Sequence, residues 1–531
     1  MTRRLLTIGC LATFCVLIVT ANPSSLAAAE RPRIEVLMLD RMVHVSDLPT
    51  AATGLVRETS DVPQPDTSLR EFQTGGSLPQ VTSIDFSPGG IAAPTSSPPT
   101  LVSEFDAVDN QVNAGLGLGY RTPPDAQLAA GPTRLLEMVN LSGRVFDKTT
   151  FAVVTTFKLN DFFGVLTPRC FDGAPPPCWY ESDPKLLYDS GSGRWIATYL
   201  SFIDKPSGQV DEARLHIAVS QSGDPAGSWY LYYHPYTVHF PDQPWVGVTN
   251  DKITITSNLF GINPQAFVGE QTRVYNKAQA LAGGPVTVAV FPTRSSLASV
   301  RPAQTMDSMN DQYAGMISGN TLKVFKYIGV PGQADVTETI TQVSVSGHTY
   351  PPGGTNPGGY NDTGDGRLVD AFVHVGYLWT MANTGCIPPG DTATRSCLQI
   401  FQINPPSTLV QQIVYGASGQ YYYYPAGRTD FGGGLIVTFT RSNSSLYAEA
   451  RIAGRQSSDP TGTLSSSVLL RLGQNGTNGR WGDYFAAARD PSGLGLCIWL
   501  VAEYAKNIQG PTESQRKWGT SVAKARYQSS C

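Results

Sequence analysis

The chain has 531 residues, which is longer than one ordinary domain and indicates either several domains or one large repeat architecture. It contains 53 glycines and 39 prolines, 10% of its residues are aromatic, and only 15% are charged. This composition is rich in turns and favours β-structure over helix. The formal net charge is -4 and no run of lysines or arginines occurs, so we expect no nucleic-acid partner.

Residues 1–29 have the pattern of a signal peptide. Arg3 and Arg4 precede the apolar run LLTIGCLATFCVLIVTA, and small residues at Ala27–Ala29 form a cleavage site. We therefore expect a mature chain from about position 30 that is secreted or displayed at the cell surface, in the extracellular space or the periplasm. A retained anchor is the less favoured alternative, because the apolar run is near the lower length limit for a bilayer span. No transmembrane segment is expected in the mature chain.

The mature chain holds an even number of cysteines, as expected for disulfides in an exported protein. These cysteines are Cys170, Cys178, Cys386, Cys397, Cys497 and Cys531. Two pairs are close in sequence, within CFDGAPPPC and CIPPGDTATRSC, so pairing between neighbours is the simplest arrangement. It leaves Cys497 to pair with the terminal Cys531. Metal binding is the weaker alternative, because no cysteine pair has two-residue spacing and no histidine lies nearby.

Residues 30–115 are predicted to form an arm rich in Pro, Ser and Gly. Its segment QTGGSLPQVTSIDFSPGGIAAPTSSPPT has no periodicity, whereas IEVLMLD and LVSEFDAV have the pattern of strands. From residue 116 to residue 531, short β-branched and aromatic runs alternate with turns that contain Gly, Pro, Asp or Asn. We therefore expect an all-β body over 116–531.

A repeated unit organises this body. An acidic residue, a short strand rich in Ala or Gly, a turn and a second apolar strand recur, as in ESDPKLLYDSGSGRWIATYL and RWGDYFAAARDPSGLGLCIWLV. The repeated acids are Asp125, Asp183, Asp242, Asp311, Asp370 and Asp483. Their spacings are 58, 59, 69, 59 and 113 residues, and the last gap contains the degenerate copy YYYYPAGRTDFGGGLIVTFT.

The unit predicts a seven-bladed β-propeller, with a range of six to eight blades. The second copy contains four strand-like runs, KLLYD, RWIATYL, RLHIAVS and WYLYYHPY, which is the content of one blade. The last copy has three runs, so the ring needs a closing strand from the arm, either IEVLMLD or LVSEFDAV. Two β-sandwiches are the alternative, and they would leave the regular acid unexplained. We expect a monomer.

The segment PPDAQLAAGPTRLLEMVN resembles the opening of a family of exported bacterial sialidase-like β-propeller proteins. Near the end of the chain, RWGDYFAAARDP, CIWLVAEY and the final Cys531 are similar to the terminal blades of that family. The match covers residues 120–531 in order. The resemblance implies a propeller of six or seven blades, and it implies no particular reaction.

The repeated acids lie where the loops of a propeller converge on the central channel, which is the usual ligand site of this fold. Arginines precede three of these acids and Phe431 of the degenerate copy by three or four residues; they are Arg121, Arg367, Arg428 and Arg480. These arginines are candidate partners of the acids. The interpretations left open are that the acids cap turns or pair locally, that they bind a ligand or cation, or that they catalyse. No cofactor is predicted, although a calcium ion in the ring stays open.

Two functions therefore remain. The first is a module that binds a glycan or an extracellular protein through Asp125, Asp242, Asp311, Asp370 and the four arginines. The second is a glycoside hydrolase, sialidase-like or related, that uses paired carboxylates at the channel mouth. Its candidate catalytic residues are Asp183, Asp483 and Glu503.

Overall fold

The structure is a computed structural model. It describes residues 31–50, 75–85, 96–172, 174–204, 210–261, 266–529 and 531. The predicted signal peptide and much of the Pro-rich arm lie outside the described residues. Within those ranges, no helix is long and apolar enough to cross a membrane.

Short antiparallel strands form nearly all of the regular structure, as the alternating β-branched and aromatic runs predict. In chain order, the strands are β1 (Arg33–Leu37), β2 (Arg41–His44), β3 (Ser83–Ile84), β4 (Thr100–Asp109), β5 (Gln127–Ala130), β6 (Arg134–Val139), β7 (Ser142–Asp147), β8 (Val153–Lys158), β9 (Cys178–Asp189), β10 (Arg194–Asp204), β11 (Val210–Ser220), β12 (Ser228–Tyr236), β13 (His239–Val248), β14 (Lys252–Gly261), β15 (Phe267–Asn276), β16 (Val286–Val290), β17 (Arg301–Pro302), β18 (Gln304–Thr305), β19 (Gln312–Ser318), β20 (Thr321–Ile328), β21 (Thr337–Ser344), β22 (Gly354–Asn356), β23 (Gly359–Asn361), β24 (Leu368–His374), β25 (Tyr377–Cys386), β26 (Arg395–Asn404), β27 (Thr408–Gly416), β28 (Tyr421–Thr429), β29 (Leu435–Asn443), β30 (Leu446–Arg455), β31 (Val468–Arg471), β32 (Ala486–Arg489), β33 (Cys497–Ala505) and β34 (Trp518–Arg526). Short helices are α1 (Asn110–Gly115), α2 (Leu159–Phe163) and α3 (Lys277–Ala282).

The strands form antiparallel meanders arranged as a β-propeller. The meanders are β5–β8, β9–β12, β13–β16, β17 with β19–β21, β24–β27, β28–β31, and β32–β34 with β4. The innermost strand of each meander contacts the innermost strand of the next one, and β32 contacts β5. The sheets therefore close into a ring around a central channel.

Small residues allow the innermost strands to approach one another. Ala129, Ala130, Ala487 and Ala488 are all buried in β5 and β32. At Gly247 in β13, a Cβ atom would lie 2.6 Å from the carbonyl oxygen of Ala303. The small residues predicted at the start of each unit are thus required by the crowding of the channel wall.

The strand that closes the ring is LVSEFDAV. It lies in β4, which pairs antiparallel with β34, with Phe105 opposite Val522. The other candidate, IEVLMLD, is wrong as a closing strand, because β1 pairs with β16 on the outer edge of a different meander. Strand β4 is followed in the chain by α1 and then by β5, the first strand of the next meander.

One innermost strand departs from the regular pattern. After β17, the chain continues as β18, which pairs in parallel with β13 and with β24. The meander that contains β17 is therefore linked through β18 to both neighbours at the channel wall. Its second strand, β19, follows Asp311, so this acid precedes a second strand and not an innermost one.

The cysteines pair between neighbours, as expected. Cys170 pairs with Cys178, Cys386 with Cys397, and Cys497 with Cys531, with Cα–Cα distances of 5.0, 6.0 and 5.6 Å. The last bridge ties the C-terminal residue to the start of β33. It therefore holds the end of the chain against the closing sheet.

Candidate functional site

A residue with left-handed backbone conformation, and not an acid, is the common feature of the innermost strands and the residues just before them. Asp125, Asp183, Gln243, Ser299 and Tyr424 occupy corresponding positions with φ of 50°, 58°, 48°, 54° and 56°. Side chains other than Asn and Asp seldom adopt this conformation. Asp242 lies one residue before its turn, so the repeated acids are not strictly equivalent.

Hydrogen bonds connect these turns around the channel. Asn140 donates from Nδ2 to Asp125 Oδ2 at 2.7 Å, and its Oδ1 accepts the backbone N–H of Asp183 at 2.9 Å. Asp183 Oδ2 then accepts the backbone N–H of Gln243 at 3.1 Å. On the other side, Asp125 Oδ1 accepts the backbone N–H of Asp483 at 2.7 Å. These contacts form an interblade hydrogen-bond chain in which each side chain caps the turn of a neighbouring sheet.

The contact that Asn140 makes with the next sheet recurs elsewhere in the ring with other asparagines. Asn258 Oδ1 accepts the backbone N–H of Ser299 at 2.7 Å, and Asn383 Oδ1 accepts that of Tyr424 at 2.8 Å. Amide and carboxylate oxygens thus accept the same kind of hydrogen bond. The main role of these side chains is to satisfy buried backbone N–H groups. Asp125 and Asp183 therefore have a structural role whatever else they do.

Next to the interblade hydrogen-bond chain lies a layer of partly exposed charged residues, which we call the charged mouth. They are Asp365, Arg367, Arg480 and Asp483. The Arg480 guanidinium lies 3.7 Å from the carboxylate of Asp483, which is 27% exposed. Arg367 donates from Nε to Asp365 Oδ1 at 2.7 Å. Two ion pairs thus lie at the end of the channel at which the innermost strands begin.

Gln243 connects the charged mouth to the interior. Its Nε2 donates to Asp483 Oδ2 at 3.2 Å, and its Oε1 accepts from Arg367 Nη1 and Arg301 Nη2, each at 2.8 Å. Neither Gln243 nor Arg301 belongs to the repeated acids, so a search for acids could not find them. Gln243 is itself the left-handed residue of its strand, whereas Arg301 lies two residues after the left-handed Ser299, so one position in the repeat does not identify both.

Burial and like charge perturb the carboxyls below the mouth. Burial, reinforced by the charges of Asp483 and Asp183, raises the pKa of Asp125 to about 8. Burial and Asp183 raise the pKa of Asp242 well above its usual value, and burial raises that of Asp183 as well. Asp183 and Asp242 lie close enough for each carboxyl to act on the pKa of the other.

Lys185 fills the channel below these acids. Its ammonium group lies 3.9 Å from the centroid of the Trp245 ring and contacts the face of Tyr484. The Nζ atom is buried and makes no hydrogen bond within the described residues. Burial lowers the pKa of Lys185 well below its usual value. The Arg301 guanidinium lies 4.2 Å from the same Trp245 ring, so cations and aromatic rings together fill this level of the channel.

Glu503 does not face an open site. It is fully buried in β33, and its Oε2 accepts the backbone N–H of Gly482 at 3.2 Å. Burial, with the nearby charge of Asp125, raises its pKa well above the usual value. Glu503 therefore supports the turn that precedes Asp483 and lies out of reach of a substrate at the mouth.

Two of the repeated acids lie outside the cluster. Asp311 forms a surface ion pair with Lys326 at 2.7 Å, because it precedes the second strand of its sheet. Asp370 lies within β24 and pairs with Arg428 at 2.6 Å, farther along the channel. The expectation that both acids face a shared ligand with the other four is therefore wrong.

The predicted arginine partners are also redistributed. Arg480 pairs with Asp483, as the three-residue spacing predicts. Arg367 pairs with Asp365 instead of Asp370, and Arg428 takes Asp370. Arg121 donates to the carbonyl oxygens of Tyr120 and Phe171 and lies over the Phe171 ring, 5.0 Å from its centroid. Proximity in sequence thus identified the ionic partner of one arginine.

A hairpin missed in the sequence forms one side of the mouth. Strands β22 and β23 carry Tyr360, whose carbonyl oxygen accepts the backbone N–H of Gly479 at 2.7 Å, and Asp362 donates its N–H to the Gly479 carbonyl at 2.9 Å. The Tyr360 side chain is 64% exposed. Burial raises the pKa of Asp362, and the nearby charges of Asp483 and Arg480 also act on it. The hairpin therefore places an exposed aromatic ring near the charged mouth.

Metal binding was left open for the ring of acids. Among the residues that the structure describes, no group of three or more His, Cys, Asp or Glu side chains is arranged to hold a metal ion. The carboxylates of the cluster are instead occupied by backbone N–H groups, asparagine and arginine.

Comparisons with known proteins found structural likenesses only. No protein-family model matches the chain, and no curated protein matches it. Among solved structures, the endosialidase of phage phi92 has a TM-score of 0.37 at 8% identity, covering 80% of this chain and 69% of that chain. An α-L-arabinofuranosidase from Fusarium graminearum has a TM-score of 0.36 at 9% identity, covering 80% and 98%.

A third similar structure is the N-terminal domain of Nup159, with a TM-score of 0.37 at 10% identity, covering 85% of this chain and 100% of that chain. At such identities and TM-scores, none of these likenesses carries an argument about function. The class of protein, an all-β propeller, rests on the strand pairing described above, and membership of the sialidase-like family stays a prediction.

Proposed function

We propose that the protein is an exported binding module that presents its charged mouth to a glycan. We further propose that its meanders are seven blades, since each of seven innermost strands contacts the next around the ring. Three disulfides support export, because such bridges persist in oxidising compartments. The signal-peptide pattern of residues 1–29 supports it independently.

The filled channel is the observation that carries the proposal. Below the charged mouth, Lys185, Trp245 and Tyr484 occupy the axis, and all three are buried. The cavity lined by Lys185 and Trp245 has a volume of about 30 Å³, which is too small for a sugar ring. We therefore place ligand contact in the surface layer. Surface contact of this kind suits recognition better than enclosure of a reacting bond.

The surface layer has the groups that recognise a glycan. The exposed Tyr360 ring offers a flat apolar face, and Asp483 and Arg480 offer an acceptor and donors for hydroxyl groups. The ion pairs of the mouth hold these polar groups in place before a ligand arrives, which lowers the entropy cost of binding. An extracellular protein is the alternative ligand, and the experiment below separates the two.

Glycoside hydrolysis has less support. The reaction needs two carboxyls that flank the scissile bond, roughly 5–9.5 Å apart. Asp183 and Asp242 are both buried below the mouth, so neither is placed to flank a substrate bond there. Asp125 and Glu503 are almost fully buried. Of the acids considered for catalysis, Asp483 alone is partly exposed.

A glycan array with the mature protein, residues 30–531, tests the proposal. The glycan that binds is then titrated against Asp483→Asn and Tyr360→Ala, each of which we expect to weaken binding about tenfold. Asp311→Asn is the matched control, because it removes the same charge from a partly exposed carboxylate outside the mouth. It should leave the affinity unchanged.

Other outcomes decide against this function. Release of chromophore from chromogenic glycosides by the wild-type protein would make it a glycoside hydrolase. Binding of a purified extracellular protein but of no glycan, weakened by Asp483→Asn, would establish the alternative ligand. Equal loss of glycan binding in Asp483→Asn and Asp311→Asn would refute the assignment of the site to the mouth.

A further inference from the structure

A second concave site lies at the opposite end of the channel. It is a cavity of about 390 Å³, lined in part by Leu128–Ala130, Tyr188 and Arg489. These residues end the innermost strands β5, β9 and β32, whereas Asp125 and Asp483 precede β5 and β32, and Asp183 lies five residues before Tyr188 within β9. The cavity is therefore separated from the charged mouth by the filled middle of the channel.

Apolar side chains form its walls and rim. Leu186 and Met306 line the interior, and Phe431 and Leu494 stand at the rim, 68% and 79% exposed. A backbone hydrogen bond of 3.0 Å from Phe431 N–H to the Gly495 carbonyl joins the two rim loops. Large apolar side chains exposed beside a concave apolar surface are typical of a ligand site.

The conformation of Leu494 is a second indication. Its φ is 66°, in the left-handed region that leucine rarely adopts. The neighbouring Gly493 and Gly495 also have positive φ, at 61° and 64°. A strained backbone that holds a large apolar residue in solvent has a cost, and such strain concentrates at functional sites.

One cation in the cavity has unused hydrogen-bonding capacity. Arg489 donates from Nη2 to the carbonyl of Met306 at 3.0 Å, whereas its Nη1 is buried and has no partner within the described part of the chain. The nearest carboxylates are occupied by other donors. They are Asp307, bound by the N–H groups of Val375 and Gly376, Asp430, bound by Gly434, and Asp490, bound by Lys148, Ser492 and Trp499. Burial lowers the pKa of Arg489, and the nearby charges of Asp307 and Asp430 act in the opposite direction.

A hydroxyl group at the same cavity is also unpaired. Thr305 lines the cavity, and its buried Oγ1 has no hydrogen-bond partner in the described structure. A buried donor left unpaired destabilises the folded state, so a small shift of these two side chains toward a ligand oxygen in the cavity would relieve that cost. The remaining walls offer apolar contact.

We propose that this cavity binds a small amphipathic molecule with one carboxylate, of the class of medium-chain fatty acids. The carboxylate lies against Arg489 and Thr305, and the alkyl chain lies between Leu186, Phe431 and Leu494. The volume is at the lower end of the range of small-molecule sites, roughly 300–1,000 Å³. This ligand is independent of the glycan proposed for the charged mouth.

Calorimetric titration of the mature protein with decanoate and with decanol tests the proposal. The two probes share the alkyl chain and differ in charge, so decanoate should bind at least about tenfold more tightly. Arg489→Gln should abolish that difference, and Arg134→Gln, which removes a surface arginine paired with Asp147, should leave it intact. Leu494→Ser should weaken both probes, and its exposed position makes it safe for folding.

The proposal fails if decanoate does not bind, or if decanol binds equally well. It also fails if Arg489→Gln, shown by circular dichroism to be folded, retains the preference for decanoate. If Arg489→Gln does not fold, Leu494→Ser decides the question, since unchanged binding of both probes in that variant places them elsewhere.

Discussion

Asn140 is the residue on which the interblade hydrogen-bond chain depends most. Its buried side chain donates to the Pro123 carbonyl at 2.8 Å and to Asp125 Oδ2 at 2.7 Å, and it accepts from the Asp183 N–H at 2.9 Å. Asn140→Ala leaves three buried polar groups without this partner, and one of them is a carboxyl. At about 1–3 kcal/mol for each group, with partial relaxation, the free energy of unfolding should fall by about 3–6 kcal/mol.

Urea unfolding followed by tryptophan fluorescence measures this loss. The matched control is Asn250→Ala, which removes an exposed amide bonded to Ser308 and Asn310 at 3.2 Å each. The control should lose less than about 1 kcal/mol, as surface substitutions usually do. Asn140→Asp keeps the acceptor for Asp183 but turns a carboxylate toward Asp125, so its stability should drop further as the pH rises from 5 to 8.

The reasoning is refuted if Asn140→Ala and Asn250→Ala differ by less than about 1 kcal/mol. In that case the carboxyl of Asp125 and the N–H of Asp183 would have other partners of equal strength. The interblade chain would then be a consequence of the fold and not a cause of its stability.

Three further predictions concern protonation, ring closure and the terminal disulfide. Because burial raises the pKa of Asp242 in the folded protein, its protonated form contributes stability below the unfolded value near 3.8, and this contribution is lost as the pH rises toward the folded pKa. Asp242→Asn keeps a donor for Asp183 without a titrating proton, so its stability in urea should fall less between pH 5 and pH 8 than that of the wild type. An equal fall in both proteins would contradict the raised pKa of Asp242. Deletion of residues 30–112 removes β4 and should cause aggregation, which size-exclusion chromatography detects. Deletion of residues 30–50 removes only outer strands and should leave a monomer. If the protein that lacks residues 30–112 is also a monomer, closure of the ring by β4 is dispensable. Cys531→Ser opens a loop with a sequence separation of 34 and should lower the free energy of unfolding by about 3–4 kcal/mol, and recovery of Cys531 as a free thiol in peptide mapping of the wild type would remove the basis for this value.

Local patterns in the sequence predicted the architecture well. The β4 segment has the alternation of a strand and lies just before the first unit, so it was a natural candidate for closure. The cysteine pairs lie in short loops, which made neighbour pairing the simplest choice.

The candidate site was harder to predict, because its common element is a backbone conformation. Asp, Gln, Ser and Tyr all adopt the left-handed turn, so residue identity alone does not reveal it. The acid of the fourth unit, Asp311, matched the spacing and yet precedes the second strand. Asn140 lies in the MVN segment of the first unit, but its role depends on a neighbouring sheet, which no local pattern contains.

The backbone and the side chain of Asp483 have separate roles, which makes this residue the best probe of function. Its backbone N–H belongs to the interblade chain through Asp125, whereas its carboxylate faces the mouth and accepts from Gln243. Asp483→Asn keeps the backbone donor and removes only the surface charge, so a change in binding can be read without a change in the ring. Asp183 lacks this separation, because its carboxylate itself caps Gln243 and pairs with Asp242. A loss of binding in Asp183→Asn would therefore reflect the fold as much as the ligand.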